Sequence, residues 1–253
     1  RRPDGPFTQR DKDLAASAQA VFEEAFFHLL NHLHEKTRLK NLCLAGGCAF
    51  NSVANGKIFD HSPFEKVYIQ PAAGDAGTAL GSALYTAHHR LNQKRSFVMD
   101  HAYWGPEFSK ADIHVELERK SGQLKEEGCQ IQEIEDREAL CRKTAKVISE
   151  GEIVGWFQGR MEWGPRALGN RSILVDPRRA EMKDILNARI KHRESFRPFA
   201  PSVLEERADE WFQMKSATSP FMNFVFPVRP AKRDRIPAVT HVDGTARVHT
   251  VSK

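Results

Sequence analysis

What this sequence lacks narrows it before anything it contains does. No run of roughly 18 apolar residues occurs, so no segment reads as a membrane-spanning helix. No charged-then-apolar leader precedes Asp11, so no signal peptide is expected and a cytoplasmic protein without a membrane partner is. Cysteine is scarce: Cys43, Cys48, Cys129 and Cys141 have neither the close paired spacing of a zinc site nor the density of a disulfide framework, which leaves reduced thiols as the expectation. Internal repeats and low-complexity tracts are missing too, and no Gly-Lys-Ser/Thr or GxGxxG marks a P-loop or a dinucleotide fingerprint.

The net charge of +5 comes from 38 basic residues set against 33 acidic ones. Both signs are spread along the chain, so a nucleic-acid partner is not expected, and where the arginines sit matters more than their sum. With 253 residues, 40% of them hydrophobic, the chain can build two ordinary domains of ~100–200 residues. It opens at Arg1 without Met and closes on Val251-Ser252-Lys253 without a capping pattern, and is read as a piece of a longer protein.

Phe22, Phe26, Leu29, Leu30 and Leu33 recur at helical spacing, predicting a long amphipathic helix from Asp11 to about Thr37 with Glu23, Glu24 and Lys36 outward. The run Leu42-Cys43-Leu44-Ala45, stopped by Gly46-Gly47, reads as a buried central strand, and Ala49 to Ile58 as the helix after it. A second unit repeats this order: strand Val67-Tyr68-Ile69, loop Pro71 to Gly77, helix Thr78 to about Leu91. Periodicity then fades between Gln93 and Lys110, placing a boundary near residue 98. Beyond it come a helix over Arg137 to Glu150, a strand over Ile153 to Phe157, a loop over Gly159 to Asn170, a strand over Ser172 to Val175 and a helix over Glu181 to Lys191. Apolar runs at Pro201 to Leu204 and Phe221 to Val228 complete a mixed sheet in an α/β protein.

Two features carry chemistry. The turns Gly46-Gly47 and Gly74-Asp75-Ala76-Gly77 each follow a strand, where glycine lets the backbone approach a phosphate and helix-start N–H groups favour an anion. Asp75 adds a carboxylate able to hold a metal ion or position a polyphosphate, and Asn51 and Asn55, four apart, present two amides to a ribose or base. The second feature is arginine on glycine-shaped loops: Arg160, Arg166 and Arg171 within Gly159 to Arg171, then Lys191, Arg193 and Arg197, then Arg247 after Asp243-Gly244. Solvated faces are usually built from Lys and Glu at helical spacing, whereas guanidinium groups on rigid turns suit phosphate or carboxylate. A polyanionic small substrate is the natural occupant.

The strings LAGGCAFN (44–51), GDAG (74–77), GRMEWGPRALGNRSIL (159–174), KHRESFRPFAPSV (191–203) and HVDGTARVHTV (241–251), in this order, resemble the carbamoyltransferase family of nodulation and antibiotic biosynthesis. The resemblance implies the second lobe of a Kae1-like domain, of the actin and sugar-kinase type, over residues 1–97, and a YrdC-like C-terminal domain over 98–253 that stops short of its usual end. It implies a reaction as well: carbamoyl phosphate and ATP, with Mg2+, form carbamoyl-adenylate, and the carbamoyl group passes to a small-molecule hydroxyl acceptor, a saccharide such as a nodulation factor or an antibiotic. Carried over by motif, Gly46, Gly47 and Asn51 match the nucleotide-binding turn, with Asn55, Gly74, Gly77, Arg160 and Arg171 placed beside the nucleotide. Asp75 matches an aspartate of a divalent metal site, iron in the best-known case, whose other ligands belong to an upstream lobe. Arg166, Arg197, Arg247 and Lys191 are the expected catalytic cations. His28 and His32 form an HxxxH in the wrong place and are ordinary helix histidines, and His249 stands where many relatives carry glutamine.

A homodimer is compatible with this reading, and the fragment alone is expected to be inactive. Two other functions fit parts of the pattern: a tRNA threonylcarbamoyl-transfer enzyme, and a non-catalytic module that binds anions or nucleic acid. Steeply salt-dependent tRNA binding marks the first. Equal sensitivity to charge reversal anywhere on the surface marks the second.

Overall fold

A computed structural model of the chain describes residues 5–215 and 218–252. The outermost residues of both expected domains, Arg1 and Lys253, lie outside these. The long helix α1 (Gln9–Thr37) starts at a reciprocal cap, in which the Thr8 hydroxyl accepts the Asp11 N–H at 3.3 Å and the Asp11 carboxylate accepts the Thr8 N–H at 2.8 Å. Such a box satisfies two N–H groups that the first turn leaves unpaired. The helix ends at Arg38 in the left-handed conformation.

Only part of the expected apolar stripe is used. Leu30, with Phe26 and Phe27, packs on Leu42, Ile58 and Phe64, while Leu29 is 64% and Leu33 44% exposed. Glu23, expected outward, turns in and meets Lys57 at 2.6 Å. The reason is the narrow surface beneath, for β1 (Asn41–Leu44) pairs in parallel with β2 (Lys66–Ile69) and with no other strand among the described residues. A two-stranded ribbon covers one line of side chains on the helix. The same geometry corrects the central-strand expectation: Leu42 is buried, but Asn41 and Cys43 are exposed.

The helix expected over Ala49 to Ile58 is broken into a 3-10 turn at Gly47–Phe50 and short helical turns at Ser52–Gly56 and Ile58–His61. Asn51 causes the break, since its side-chain oxygen accepts the Ala54 N–H at 3.1 Å and restarts the helix there. Helix α2 (Thr78–Tyr85) continues into a wider π turn, Thr86–Arg90.

In the second half, α3 (Lys110–Arg119) was not foreseen, although its own capping box at Ser109 and Asp112 is written in the sequence. Helix α4 (Arg137–Ser149) follows. The expected mixed sheet is instead three further strand pairs: β3 (Val154–Phe157) antiparallel to β4 (Arg171–Leu174), β5 (Ser202–Leu204) parallel to the late strand β8 (His249–Val251), and β6 (Val225–Pro227) antiparallel to β7 (Thr245–Arg247). The helix expected from Glu181 is a single turn, Met182–Ile185, that widens into a π turn over Leu186–Lys191.

One apolar core spans both halves. Phe212, Phe224, Phe226, Val228 and Val248 pack with Ala49, Ile69 and Ala73 from the other side of residue 98. Buried amides stitch the same seam: Asn55 donates to the carbonyls of Ala49 at 2.8 Å and Asn223 at 2.9 Å, and Asn223 donates to the Ile69 carbonyl at 2.9 Å. Gly56 is required here, because a Cβ would lie 1.9 Å from the Val225 carbonyl oxygen. The result is a mixed α/β molecule in which the glycine turns and the arginine loop are held against each other. No helix among the described residues is long and apolar enough to cross a membrane.

Candidate active site

The loop between β3 and β4 is built around one carboxylate. Glu162, 8% exposed, accepts the backbone N–H groups of Leu168 at 2.7 Å, Asn170 at 2.8 Å and Arg171 at 3.2 Å on one oxygen. Burial pushes its pKa up, but these backbone donors outweigh it and hold the group below the usual carboxylate range. Gly164 lies at φ 117 and so close to the first glycine-rich segment that a Cβ would stand 2.6 Å from the Pro71 carbonyl oxygen. Curled in this way, the loop sends Arg166 to one side and Arg160 to the other, with Pro165 bordering both cavities.

On the Arg166 side is a cleft of about 820 Å³ that Lys191, Arg193 and Arg247 also line. The Nε atoms of Arg166 and Arg247 are buried without a hydrogen-bond partner. Arg247 is pushed down to about 10, first by burial and then by the charges of Arg166 and Arg193, and burial lowers Arg166 as well. Arg193 is aimed by Asn187, whose side-chain oxygen accepts its Nε–H at 2.7 Å, and its guanidinium lies 4.8 Å over the Phe199 ring. Asp176, the carboxylate that lines the cleft, is held by Arg178, so Arg166 and Arg247 are left crowded together, which is costly unless an anion enters. Two other arginines at the rim are already satisfied, Arg178 by Asp176 at 2.6 Å and Arg207 by Glu210 at 2.9 Å.

The structure divides the predicted residues. Arg166, Arg247 and Lys191 come together, but Arg197 lies outside the cleft lining, half-exposed and paired with Glu194 at 2.8 Å. Arg193, four residues earlier in the same cluster, takes its place. Arg171 is occupied by the hairpin mouth: it donates to the carbonyls of Gln158 at 2.7 Å, Asn170 at 2.9 Å and Gly159 at 3.1 Å, and stacks 3.5 Å over Phe157. Asn55 is fully buried in the seam, its NH2 spent on two backbone carbonyls and its Oδ1 enclosed without a partner, and Asn51 is spent on its helix cap and on Gln19, so neither amide faces a cavity where a ribose could sit. The causes differ: the Asn55 NH2 is used by backbone carbonyls inside a packed seam, and Asn51 by its own helix start and by a side chain of α1.

On the Arg160 side is a second cavity of about 740 Å³ lined by Phe50, Gly74, Asp75, Trp104, Arg160 and Trp163 among others. Gly46 sits at φ 99 with open space where a Cβ would project, as a close-approach turn needs. Its N–H, however, donates to the Ala73 carbonyl at 2.7 Å, and that of Gly77 donates to Gly74 at 2.9 Å. The first turn opens into a short 3-10 turn, Gly47–Phe50, and not into the helix expected, whereas the second leads through a 3-10 turn, Asp75–Gly77, into α2 at Thr78 as expected. Asp75 is exposed toward this cavity, yet among the described residues no three His, Cys, Asp or Glu side chains gather for a metal ion. One carboxylate does not make such a site. His28 and His32 stack at 6.5 Å on α1, on its exposed side.

The family model for the carbamoyltransferase N-terminus matches residues 5–84, and that for the carbamoyltransferase C-terminus matches residues 145–253. The chain is 47% identical over 256 aligned residues to nodulation protein NolNO of Sinorhizobium fredii, covering 100% of this chain and 36% of that protein. It is 46% identical to nodulation protein NolO of Bradyrhizobium diazoefficiens, covering 100% of this chain and 45% of the relative. Nodulation protein U of Sinorhizobium fredii is 33% identical over 96% of this chain and 40% of its own length. The chain therefore spans less than half the length of these relatives.

Proposed function

Because the chain belongs to the carbamoyltransferase family, with matches to both its N-terminal and its C-terminal part, we propose that it is the C-terminal portion of an ATP-dependent O-carbamoyltransferase. In this reading the cleft of Arg166, Arg193, Arg247 and Lys191 takes carbamoyl phosphate and the triphosphate of ATP. Water and the two substrates yield carbamoyl-adenylate, phosphate and pyrophosphate, and a hydroxyl of a saccharide or antibiotic then takes the carbamoyl group, releasing AMP and a proton.

One observation carries the proposal: guanidinium groups crowded in a cleft with buried Nε atoms left without partners. Attack at the α-phosphorus brings negative charges together, and fixed cations offset that repulsion without having to reorganise. The division into a Kae1-like lobe and a YrdC-like domain belongs to the same proposal. So does the metal: Asp75 would be one ligand, and the rest would have to come from outside these residues.

The test is direct. The whole protein, given carbamoyl phosphate, ATP and a panel of hydroxyl acceptors, should release pyrophosphate and form a carbamate ester. Absence of both products across the panel rejects the proposal.

A further inference from the structure

Strands β5 and β8 pair in parallel so that Ser202 lies opposite His249. The Ser202 hydroxyl is 2.9 Å from His249 Nδ1, and the two differ sharply in surroundings: His249 is 3% exposed, while Ser202 is exposed and borders the same cleft as Arg166 and Arg247. We propose that Ser202 is a further hydrogen-bond donor to the anionic ligand of this cleft and that His249 is the residue that positions it. This rests on the reading of the cleft as a carbamoyl phosphate and ATP site.

The polarity of the pair follows from what the cleft must receive. Burial keeps the imidazole neutral, pushing it down to about 4 against a weaker opposing pull from Glu162, so the ring carries a single N–H. If that proton is on Nε2, the hydroxyl donates into the ring and shows the cleft only lone pairs, which repel phosphate oxygens. If it is on Nδ1, the ring donates to Ser202 Oγ and the hydroxyl hydrogen is left to point at the ligand. An anion selects the second arrangement. The cations bring charge but tolerate several orientations of a phosphate; a fixed hydroxyl between them prefers one.

The measurement is calorimetric titration of the whole protein with carbamoyl phosphate, comparing wild type, Ser202→Ala, His249→Leu, His249→Gln and Arg166→Ala, with thermal melts as the check on folding. The expected result is about a tenfold loss of affinity for Ser202→Ala, in keeping with one hydrogen bond to a charged group. His249→Leu should show the same loss, with no further loss in the double variant. Glutamine, whose amide N–H can replace Nδ1–H, should restore affinity to within about threefold of wild type by the same hydrogen-bond arithmetic. If Ser202→Ala binds as wild type while Arg166→Ala does not, the hydroxyl has no part in binding and the inference is overturned, although the cleft reading stands. If wild type and Arg166→Ala both fail to bind, the cleft reading falls and takes this inference with it. Should His249→Leu not fold, the Ser202→Ala result decides alone.

Discussion

Glu162 accepts the backbone N–H of Leu168 at 2.7 Å, and this contact closes the loop that carries Arg166 into its cleft. Two more backbone N–H groups, of Asn170 and Arg171, converge on the same oxygen. Replacing Glu162 with Ala leaves three donors stranded and should cost about 2–4 kcal/mol of stability. Glu162→Gln keeps an accepting oxygen and should cost about 1 kcal/mol by the same accounting. Denaturant melts check both, and equal losses for the two variants would refute the role given to the oxygen.

Arg247 should be worth more to the ligand than to the fold. Its charge is held in a buried place beside Arg166 and Arg193, which lowers it to about 10. Arg247→Met, which removes an unpaired cation and keeps much of its volume, should raise the stability of the free protein by about 1 kcal/mol. Carbamoyl phosphate binding should fall by at least tenfold. A variant both less stable and still able to bind would show that Arg247 is structural.

Arg193 and Arg197 should separate cleanly. Arg193→Ala removes a cation aimed by Asn187 into the cleft and should weaken carbamoyl phosphate binding roughly tenfold or more. Arg197→Ala breaks an exposed pair with Glu194, of a kind worth ~0–1 kcal/mol, and should leave binding nearly unchanged. The reverse ranking would restore Arg197 to the site.

These two arginines also show where reading along the chain stops. Their spacing and neighbours are local and look alike; what distinguishes them is the Asn187 oxygen, presented by a widened turn that no periodicity predicts. The same division runs through the fold. The strands β1 and β2, the span of α1 and the hairpin ends around residues 157 and 171 follow from local patterns and capping residues. Whether Leu29 is covered, or Asn55 faces a ligand, depends on partners far along the chain, and Asn55 meets Asn223 across 168 residues. Arg166 and Arg247 were legible because glycine turns flank them; the two-stranded sheets were not, because strand count is decided by pairing.

Acid should loosen the protein in a defined window. His249 has a folded pKa of about 4 against an ordinary 6.5, so the unfolded chain takes up its proton first. Stability present above pH 6.5 is therefore lost as pH falls toward 4, by on the order of 3 kcal/mol when complete. His249→Gln should flatten the stability profile across that interval, and an unchanged slope would show that His249 does not titrate as its burial requires.

Asn55→Ala should destabilise the protein by about 2–4 kcal/mol, since it leaves the carbonyls of Ala49 and Asn223 unpaired in the seam. Nucleotide affinity of the folded fraction should not change. A variant of wild-type stability with weakened nucleotide binding would return Asn55 to the ligand.

The central claim is that guanidinium groups in one cleft gather the anionic reactants. A crystal of the whole protein soaked with carbamoyl phosphate and a non-hydrolysable ATP analogue tests it most directly. The account predicts phosphate oxygens within hydrogen-bond reach of Arg166, Arg193 and Arg247, with the free Nε atoms of Arg166 and Arg247 now satisfied. Both ligands bound elsewhere, with the Nε atoms of Arg166 and Arg247 still unpartnered, would contradict it.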